Sequence, residues 1–579
     1  METTDRLNAL RKKMAQDGIG AVLIRSTDRY FNEYVPREKN QRAWLSGFNG
    51  SAGDALVTQE FATLFVDGRY TLQAAQQAPA FTIDVAPLGT SIQQQWLQAI
   101  GAIKDISNPI LYVDTQLVSG KLLEHIENAA QRSQVKVIAH PQSYLKHIGF
   151  EGLSEGPQSE LKEIDQSLSG QSVSEKHTKI KQFLIEHNLD GLLLTLLDEI
   201  AWISNLRAAD FENQSTFAAR ALVFHDKIFI GLENFNNQKG PEGIELCPEK
   251  DLWLKLQEHS TQKKLVLGVD DTKTPQNIIA ELESQAELKF LEGPIKHLKA
   301  VKNKQELLHM RDAFARADKV VNTVQKWLCA EITKGSLVTE AQVGAYLTKT
   351  FFDSGAKRLS FSPICAAGKH AAVIHYGTLD DKTPLTKGEL FLLDVGGIYE
   401  GGYATDLTRT FLLGDESLVA TQQQKDLFTV VLKGAIAGLS ARFPKSTTGL
   451  QLDAIVRAPI WQAGYDYAHG TGHGVGINVH EAPPTIAVGS ATTFAEGHVF
   501  SIEPGIYLPE FGGIRIENLA TVVDDSEHPG YFRVLPLTFA PFDKRLIDDS
   551  KLTPFEKQFL AYYSEAFEWD STQMPKLPV

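Results

Sequence analysis

Residues 391–411 read FLLDVGGIYEGGYATDLTRTF, and two acids stand in that stretch beside apolar runs. Asp394 closes the run FLLD, and Asp406 follows a Gly-rich turn. The interval is short enough for a hairpin to bring the two carboxylates together. Two more acids follow in the same half of the chain. Glu503 lies in VFSIEPGIY (499–507) between Ile502 and Pro504, and Glu517 lies in GGIRIENLATVV (512–523). The second segment is expected as one strand, with Arg515 and Glu517 on one face and Ile514 and Ile516 on the other. A single acid at a strand end is commonly structural. Four of them on hydrophobic strands are different, because a buried carboxylate is kept only when it is paired or coordinates a metal. Arg409 and Arg515 are the close basic partners. Two cations do not neutralise four acids, whereas one or two divalent metals would.

Between these acids runs HGTGHGVGINVHEAPP, residues 469–484, with His469, His473 and His480. Its alternate glycines let the backbone pass close to something. The spacing is GxGxGxG rather than the GxGxxG of a dinucleotide loop, and no clear strand precedes it. His480-Glu481 opens like the zinc helix motif HExxH, but Pro484 stands where the second histidine belongs. A histidine ligand for the carboxylate cluster fits better. Oxygen-rich ligation with one imidazole favours manganese, with zinc, cobalt or iron as alternatives. Two such ions sharing a hydroxide are a hydrolytic arrangement.

Ahead of this half lie two segments that resemble each other. RLNALRKKMAQDGIGAVLI (6–24) leads to Asp28 and then Trp44, and KHTKIKQFLIEHNLDGLLLT (176–195) leads to Asp198 and Trp202. Each reads as an amphipathic helix, a polar turn with Gly, an apolar strand and a Trp-bearing segment. The first copy carries an insertion, YFNEYVPREKNQR (30–42). The Gly/Ser/Glu-rich stretch 151–175 reads as a surface linker between two tandem α/β domains. GPIKHLKAVKNKQE (293–306) marks the next boundary, where Gly293-Pro294 and a basic run precede a helix. That helix, from Glu306, places Leu307, Met310, Phe314 and Val321 on one side. TPFEKQFLAYYSEAF (553–567) reads as a closing helix.

The order DVGG, TDLTRT, HGTGHGVG, NVHEAPP, IEPGIY, GIRIEN closely resembles the pita-bread metallopeptidases: methionine aminopeptidase, prolidase and aminopeptidase P. The resemblance implies that Asp394, Asp406, His473, Glu503 and Glu517 ligate two metals, with Asp406 and Glu517 bridging. It further implies that His375, in AAVIHYG, sits beside the substrate, and that His480 binds the scissile carbonyl. His469 matches a further active-site histidine, and the resemblance further implies that Glu503 handles the proton of the attacking water and that Arg515 belongs with His375, His469 and His480 on the substrate side. The interval from Asp394 to Asp406 is one residue longer than the family pattern, which a hairpin loop absorbs.

In the N-terminal half, DRYFNEYV, WLSGFNGSAGDALVT, VDGRY and LDEIAWISNLRAADF are similar to the long, three-domain, cytosolic form of aminopeptidase P. The fold expected is therefore α/β with an α+β catalytic domain. Two creatinase-like domains, 1–155 and 172–298, precede a pita-bread domain at 299–579. Implied with it are a homodimer, manganese, and cleavage of the N-terminal Xaa-Pro bond of peptides by a dinuclear-metal-activated hydroxide. A prolidase-type dipeptidase, a creatinase-like hydrolase without the metal ligands, and a non-catalytic pita-bread binding protein are the rival readings.

Composition sets the outer bounds. The chain has 579 residues, too many for one core, with 43% hydrophobic and 22% charged residues, a globular balance. Its net charge of −14 without a long basic run gives no nucleic-acid footprint. METTDRLNALRKKM lacks the apolar stretch of a secretory signal, and no segment reaches the length of a membrane span. Cys247, Cys329 and Cys365 are far apart and read as buried free thiols. A cytoplasmic protein is expected.

Overall fold

The computed structural model of the chain describes residues 2–36, 38–106, 108–152, 159–260 and 264–568. The chain forms two compact units, residues 1–164, 171–212 and 216–295 in the first, and 165–170, 213–215 and 296–579 in the second.

The first unit contains the same architecture twice. Strands β1 (Ala21–Ile24), β2 (Asp54–Thr58), β3 (Ala62–Asp67), β4 (Thr82–Ala86), β5 (Ile110–Asp114) and β6 (Lys136–His140) form a sheet in the order β4-β3-β2-β1-β5-β6. Strands β7 (Gly191–Leu194), β8 (Ala219–Phe224), β9 (Ile228–Leu232), β10 (Ile244–Pro248), β11 (Val266–Val269) and β12 (Glu287–Phe290) form the second, β10-β9-β8-β7-β11-β12. Parallel and antiparallel pairings agree position for position. The repeat in the sequence is thus a repeat of the fold. In β1, Val22 and Ile24 enter one core cluster with Leu7, Leu10 and Met14, while Ala21 and Leu23 enter another with Trp96 and Ile126. A strand buried on both faces has to be apolar at every position, which accounts for the unbroken AVLI. The start of the inserted loop reaches the end of the second sheet: Tyr30 Oη donates to Glu233 (3.0 Å), just after β9, and the preceding Arg29 pairs with Glu249, just after β10.

The second unit is the pita-bread fold. Its three-stranded sheet consists of β13 (Ile364–Ala367), β14 (Leu390–Val395) and β15 (Leu407–Leu412), all antiparallel. The larger sheet is built from β16 (Arg442–Pro444), β17 (Gly472–Gly474), β18 (Glu481–Ile486), β19 (Val499–Ile502), β22 (Asn518–Asp524) and β23 (Tyr531–Pro536), and β20 (Gly505–Leu508) with β21 (Gly512–Arg515) forms a separate hairpin. The larger sheet runs β16-β23-β22-β19-β17-β18. Helices Lys304–Lys334 and Glu340–Asp353 cover the smaller sheet through a core containing Val324, Leu347, Phe351, Phe391, Leu393 and Phe411. Helices Gln422–Leu439, Gly449–Gln462 and Pro554–Ala566 build the other core, with Phe428, Leu452, Phe500, Ile514 and Phe559.

Three details depart from the sequence reading. Residues 512–523 are not one strand: β21 stops at Arg515 and β22 starts at Asn518, so Glu517 sits in the break. Of the helix face Leu307, Met310, Phe314, Val321, the last three are buried and Leu307 is half-buried. Cys247 and Cys365 are buried free thiols as expected, but Cys329 is partly exposed. The linker 151–175 lies partly outside the described residues; within it, Lys162–Glu163 pairs with Leu206–Arg207 as a short strand and Gln166–Ser169 forms a helical turn.

Phe351, fully buried, is one of the side chains of the helix Glu340–Asp353 in the core it shares with the smaller sheet. Phe351→Ala is expected to cost about 3–5 kcal/mol of stability, measured by urea unfolding with the metal content held constant. A loss below ~1 kcal/mol would show that the two layers do not depend on it.

Candidate metal centre and active site

Strand alternation places the first acids. In β14, Phe391, Leu393 and Val395 enter the helix-covered core, so Asp394 points to the opposite face. Asp394 is paired with Thr408 of β15, and Asp406 lies two residues before Thr408, which puts both aspartates on that one face. Glu503 follows β19, with its N–H donating to Thr471 O (2.8 Å). Glu517 occupies the break between β21 and β22, its N–H donating to Thr408 O (3.2 Å) and its carboxylate accepting from Thr408 Oγ1 (2.8 Å). The break turns what would be a strand residue toward Asp406. His473, within β17, has its Nε2 3.5 Å from both Asp406 and Glu503. The ring of His480 meets that of His473 edge-on, centroids 4.2 Å apart.

The glycines of 469–484 serve this assembly, not a ligand's phosphates. A Cβ at Gly472 would overlap the carbonyl of Ser501, and one at Gly476 would overlap the Glu481 carboxylate. The backbone passes close to its own neighbouring strands.

Ligand atoms within 4.8 Å of one another define overlapping sets: Asp394, Asp406 and Glu517; His473, Glu503 and Glu517; and Asp406, His473 and His480. Asp394, Asp406 and Glu517 are 8%, 4% and 2% exposed. One oxygen of each (Asp394 Oδ1, Asp406 Oδ1, Glu517 Oε1) is buried with no hydrogen-bond partner. Burial, followed by Glu517, Asp394 and Glu503, pushes Asp406 well above the usual carboxylate range. Burial, Glu503 and Asp394 do the same to Glu517. Burial carries Glu503 up to about 7, with Asp394 adding to it and Arg515 and His480 opposing. Unpaired inward oxygens on acids that repel one another are what a pair of divalent cations would satisfy, so the residues fit the metals implied by the donor set.

A second layer holds the acids in place. Arg515, buried, donates to Asp394 Oδ2 (2.6 Å) and Tyr507 Oη (2.8 Å). Tyr507 Oη lies 2.9 Å from His469 Nε2. With Arg515 donating to the tyrosine oxygen, the hydroxyl proton goes to Nε2, and Nδ1–H of His469 donates to Gly470 O (2.7 Å). Arg457 donates to the carbonyls of Tyr467 and His469, fixing the approach to the glycine run. Arg409 donates to the carbonyls of Thr408, Glu517 and Ala540, bracing the backbone just after Asp406 and at Glu517. His375 is half-buried on a loop after β13. That loop is tied down by Glu340, whose carboxylate accepts from Ala367 N (2.8 Å), His370 Nδ1 (2.9 Å), Tyr376 Oη (2.7 Å) and Asp380 N (3.0 Å).

Tyr507, Thr408, Arg457 and Glu340 were not singled out from the sequence. Tyr507 had a readable signal: it lies in IEPGIY, and a tight β20–β21 hairpin pairs Gly505 with Arg515 and puts Tyr507 diagonally beside that arginine. Glu340 had none, being one acid in a helix first turn.

The family model for metallopeptidase family M24 matches residues 308–524. Models for the creatinase/prolidase N-terminal domain match residues 6–143 and 154–306. A probable Xaa-Pro aminopeptidase P of Laccaria bicolor is 31% identical over 98% of this chain and 90% of its own. Aminopeptidase P2 of Arabidopsis thaliana is 30% identical, covering 97% of this chain and 85% of its own. The structure of a Caenorhabditis elegans X-prolyl aminopeptidase, described as a cytosolic enzyme with a di-nuclear active site, superimposes with a TM-score of 0.87 at 25% identity, over 98% of this chain and 95% of its own. Prolidase from Pyrococcus horikoshii gives a TM-score of 0.51 at 25% identity and covers 64% of this chain and all of its own.

Asp406 and Glu517 each belong to two of the overlapping ligand sets. Asp406→Ala and Glu517→Ala are therefore each expected to lose bound metal and turnover together, checked by elemental analysis of protein dialysed against metal-free buffer. Full retention of two equivalents in either variant would remove that residue from the shared position.

Proposed function

The chain belongs to the aminopeptidase P group of metallopeptidase family M24, and on that footing we propose that it is a metal-dependent Xaa-Pro aminopeptidase, releasing the N-terminal residue that precedes proline. The observation that carries this is the gathering of Asp394, Asp406, His473, Glu503 and Glu517 around buried, unpartnered oxygens. These residues stand in a chain that matches aminopeptidases P along nearly its whole length. The prolidase alternative is disfavoured because the P. horikoshii enzyme accounts for only 64% of the chain.

Asp394, Asp406 and Glu517 would hold one cation, and His473, Glu503 and Glu517 the other, with Asp406 completing that side. Bound divalent cations polarise a carbonyl oxygen and acidify water. Manganese is the first choice because the donors are mostly carboxylate oxygens with one imidazole. Glu503 accepts the proton of the attacking water and returns it to the proline nitrogen as the C–N bond breaks, so that no net proton is consumed at the carboxylate. His480 donates to the scissile carbonyl oxygen as negative charge develops on it. His375 and His469 face the substrate, and Arg515 holds Asp394 and, through Tyr507, the proton on His469. A Xaa-Pro bond is a tertiary amide with no N–H to offer, so a peptidase site that recognises that N–H passes it over.

The same reading includes domains at 1–155, 172–298 and 299–579, supported by matches at 6–143, 154–306 and 308–524. It includes a homodimer, which sedimentation velocity tests. It also includes a cytoplasmic location, supported by the cytosolic C. elegans relative; among the described residues no helix is long and apolar enough to cross a membrane.

Two experiments check the chemistry. Manganese-reloaded protein is expected to release arginine from Arg-Pro-Pro but not from Arg-Ala-Ala or the dipeptide Arg-Pro, by mass spectrometry. Turnover of the dipeptide alone would make it a prolidase. His480→Ala is expected to keep its metals and lose roughly 10²–10³ in kcat, the scale of one missing oxyanion donor. An unchanged kcat removes His480 from the reaction.

A further inference from the structure

The basic run of residues 293–306 reads as a boundary before a helix, and lysines in such a run ordinarily lie in solvent. Two of them do not. Lys299, in the helix Ile295–Ala300, and Lys302 just after it are 2% and 6% exposed. Their Nζ atoms lie 2.9 and 3.2 Å from Glu481 Oε2. The other carboxylate oxygen, Oε1, accepts from Ile477 N (2.8 Å) and Asn478 N (3.1 Å). Residues 476–481 thus wrap around their own terminal carboxylate. Gly476 is small because the Glu481 carboxylate and Lys302 Nζ occupy the place of its side chain. The lysine side of the contact is fixed as well: Lys302 N donates to Gly497 O (3.0 Å) and Lys302 Nζ to Lys299 O (2.8 Å).

Two ammonium groups and a carboxylate in the interior are a poor way to gain stability, since desolvating three charges offsets most of their attraction. What the triad fixes is place. His480 directly precedes Glu481, at the start of β18, and its ring stands edge-on to His473. The carbonyl of Gly476 accepts from Ala404 N (2.8 Å), two residues before Asp406. The loop closed by the triad is therefore joined to the metal-side hairpin at one end and carries His480 at the other. We infer that Lys299 and Lys302, acting through Glu481, are positioning residues for His480, setting its imidazole where the scissile carbonyl oxygen arrives.

This inference rests on the assignment of His480 to that carbonyl, and a double-mutant cycle separates the two. Lys302→Met, His480→Ala and the double variant are assayed on Arg-Pro-Pro, with metal content measured in each. Lys302→Met is expected to lower kcat about tenfold, with KM within about twofold and metal retained. It is expected to have no further effect once His480 is alanine, because a residue that acts through His480 has nothing left to position. An equal loss in both backgrounds, or no loss in the native one, overturns the positioning role while leaving His480 in the mechanism. An unchanged kcat in His480→Ala alone overturns the carbonyl assignment and the inference with it. If Lys302→Met does not fold, Lys299→Met carries the same cycle with Lys302 still neutralising Glu481, and the same outcomes decide.

Discussion

Three buried carboxylates, those of Asp394, Asp406 and Glu517, are packed beside the half-buried Glu503, and the Arg515 guanidinium is bonded to Asp394. Like charges at that distance and burial cannot all ionise unless cations enter among them. Arg515 neutralises the outer oxygen of Asp394, and the inward oxygens of Asp394, Asp406 and Glu517 are left without a hydrogen bond. The fold has to hold this unfavourable cluster together before metal arrives. The braces around it follow from that need: Arg409 on the carbonyls of Thr408 and Glu517, Thr408 on the Glu517 carboxylate, and the Tyr507 hydroxyl between Arg515 and His469.

Close backbone approach adds to the rigidity that these side chains supply. At Gly472 and Gly476 a Cβ would overlap the adjoining strand or the Glu481 carboxylate, so the histidine-bearing segment lies flat against its neighbours. Its side chains then project from a backbone with little freedom to shift, which is the condition for electrostatic stabilisation without reorganisation. The first unit contributes no such cluster among its described residues. Its two sheets share one strand order and one set of pairings, and they bury apolar strands on both faces. A fold repeated in this way carries no function by itself; the chemistry resides in the side chains set on the second unit.

By itself the sequence determined the tandem α/β repeat and pointed to the four acids and the histidine segment as one cluster, because each is written in local pattern. The short interval between Asp394 and Asp406 allows a hairpin to bring them together, and four acids among apolar residues with too few basic partners call for divalent cations. Tertiary structure alone decided what those residues meet. The strand expected through Glu517 is broken at Ile516, since Glu517 must turn toward Asp406 instead of continuing the alternation. Arg515, expected among the substrate contacts, has its guanidinium on Asp394 and Tyr507. Lys299 and Lys302 read as part of a basic boundary run and are buried on Glu481, some 180 residues away in the chain. Period and composition report a residue's neighbours along the backbone. Partners that distant are chosen by packing, and a charge buried against them leaves no mark on the local pattern.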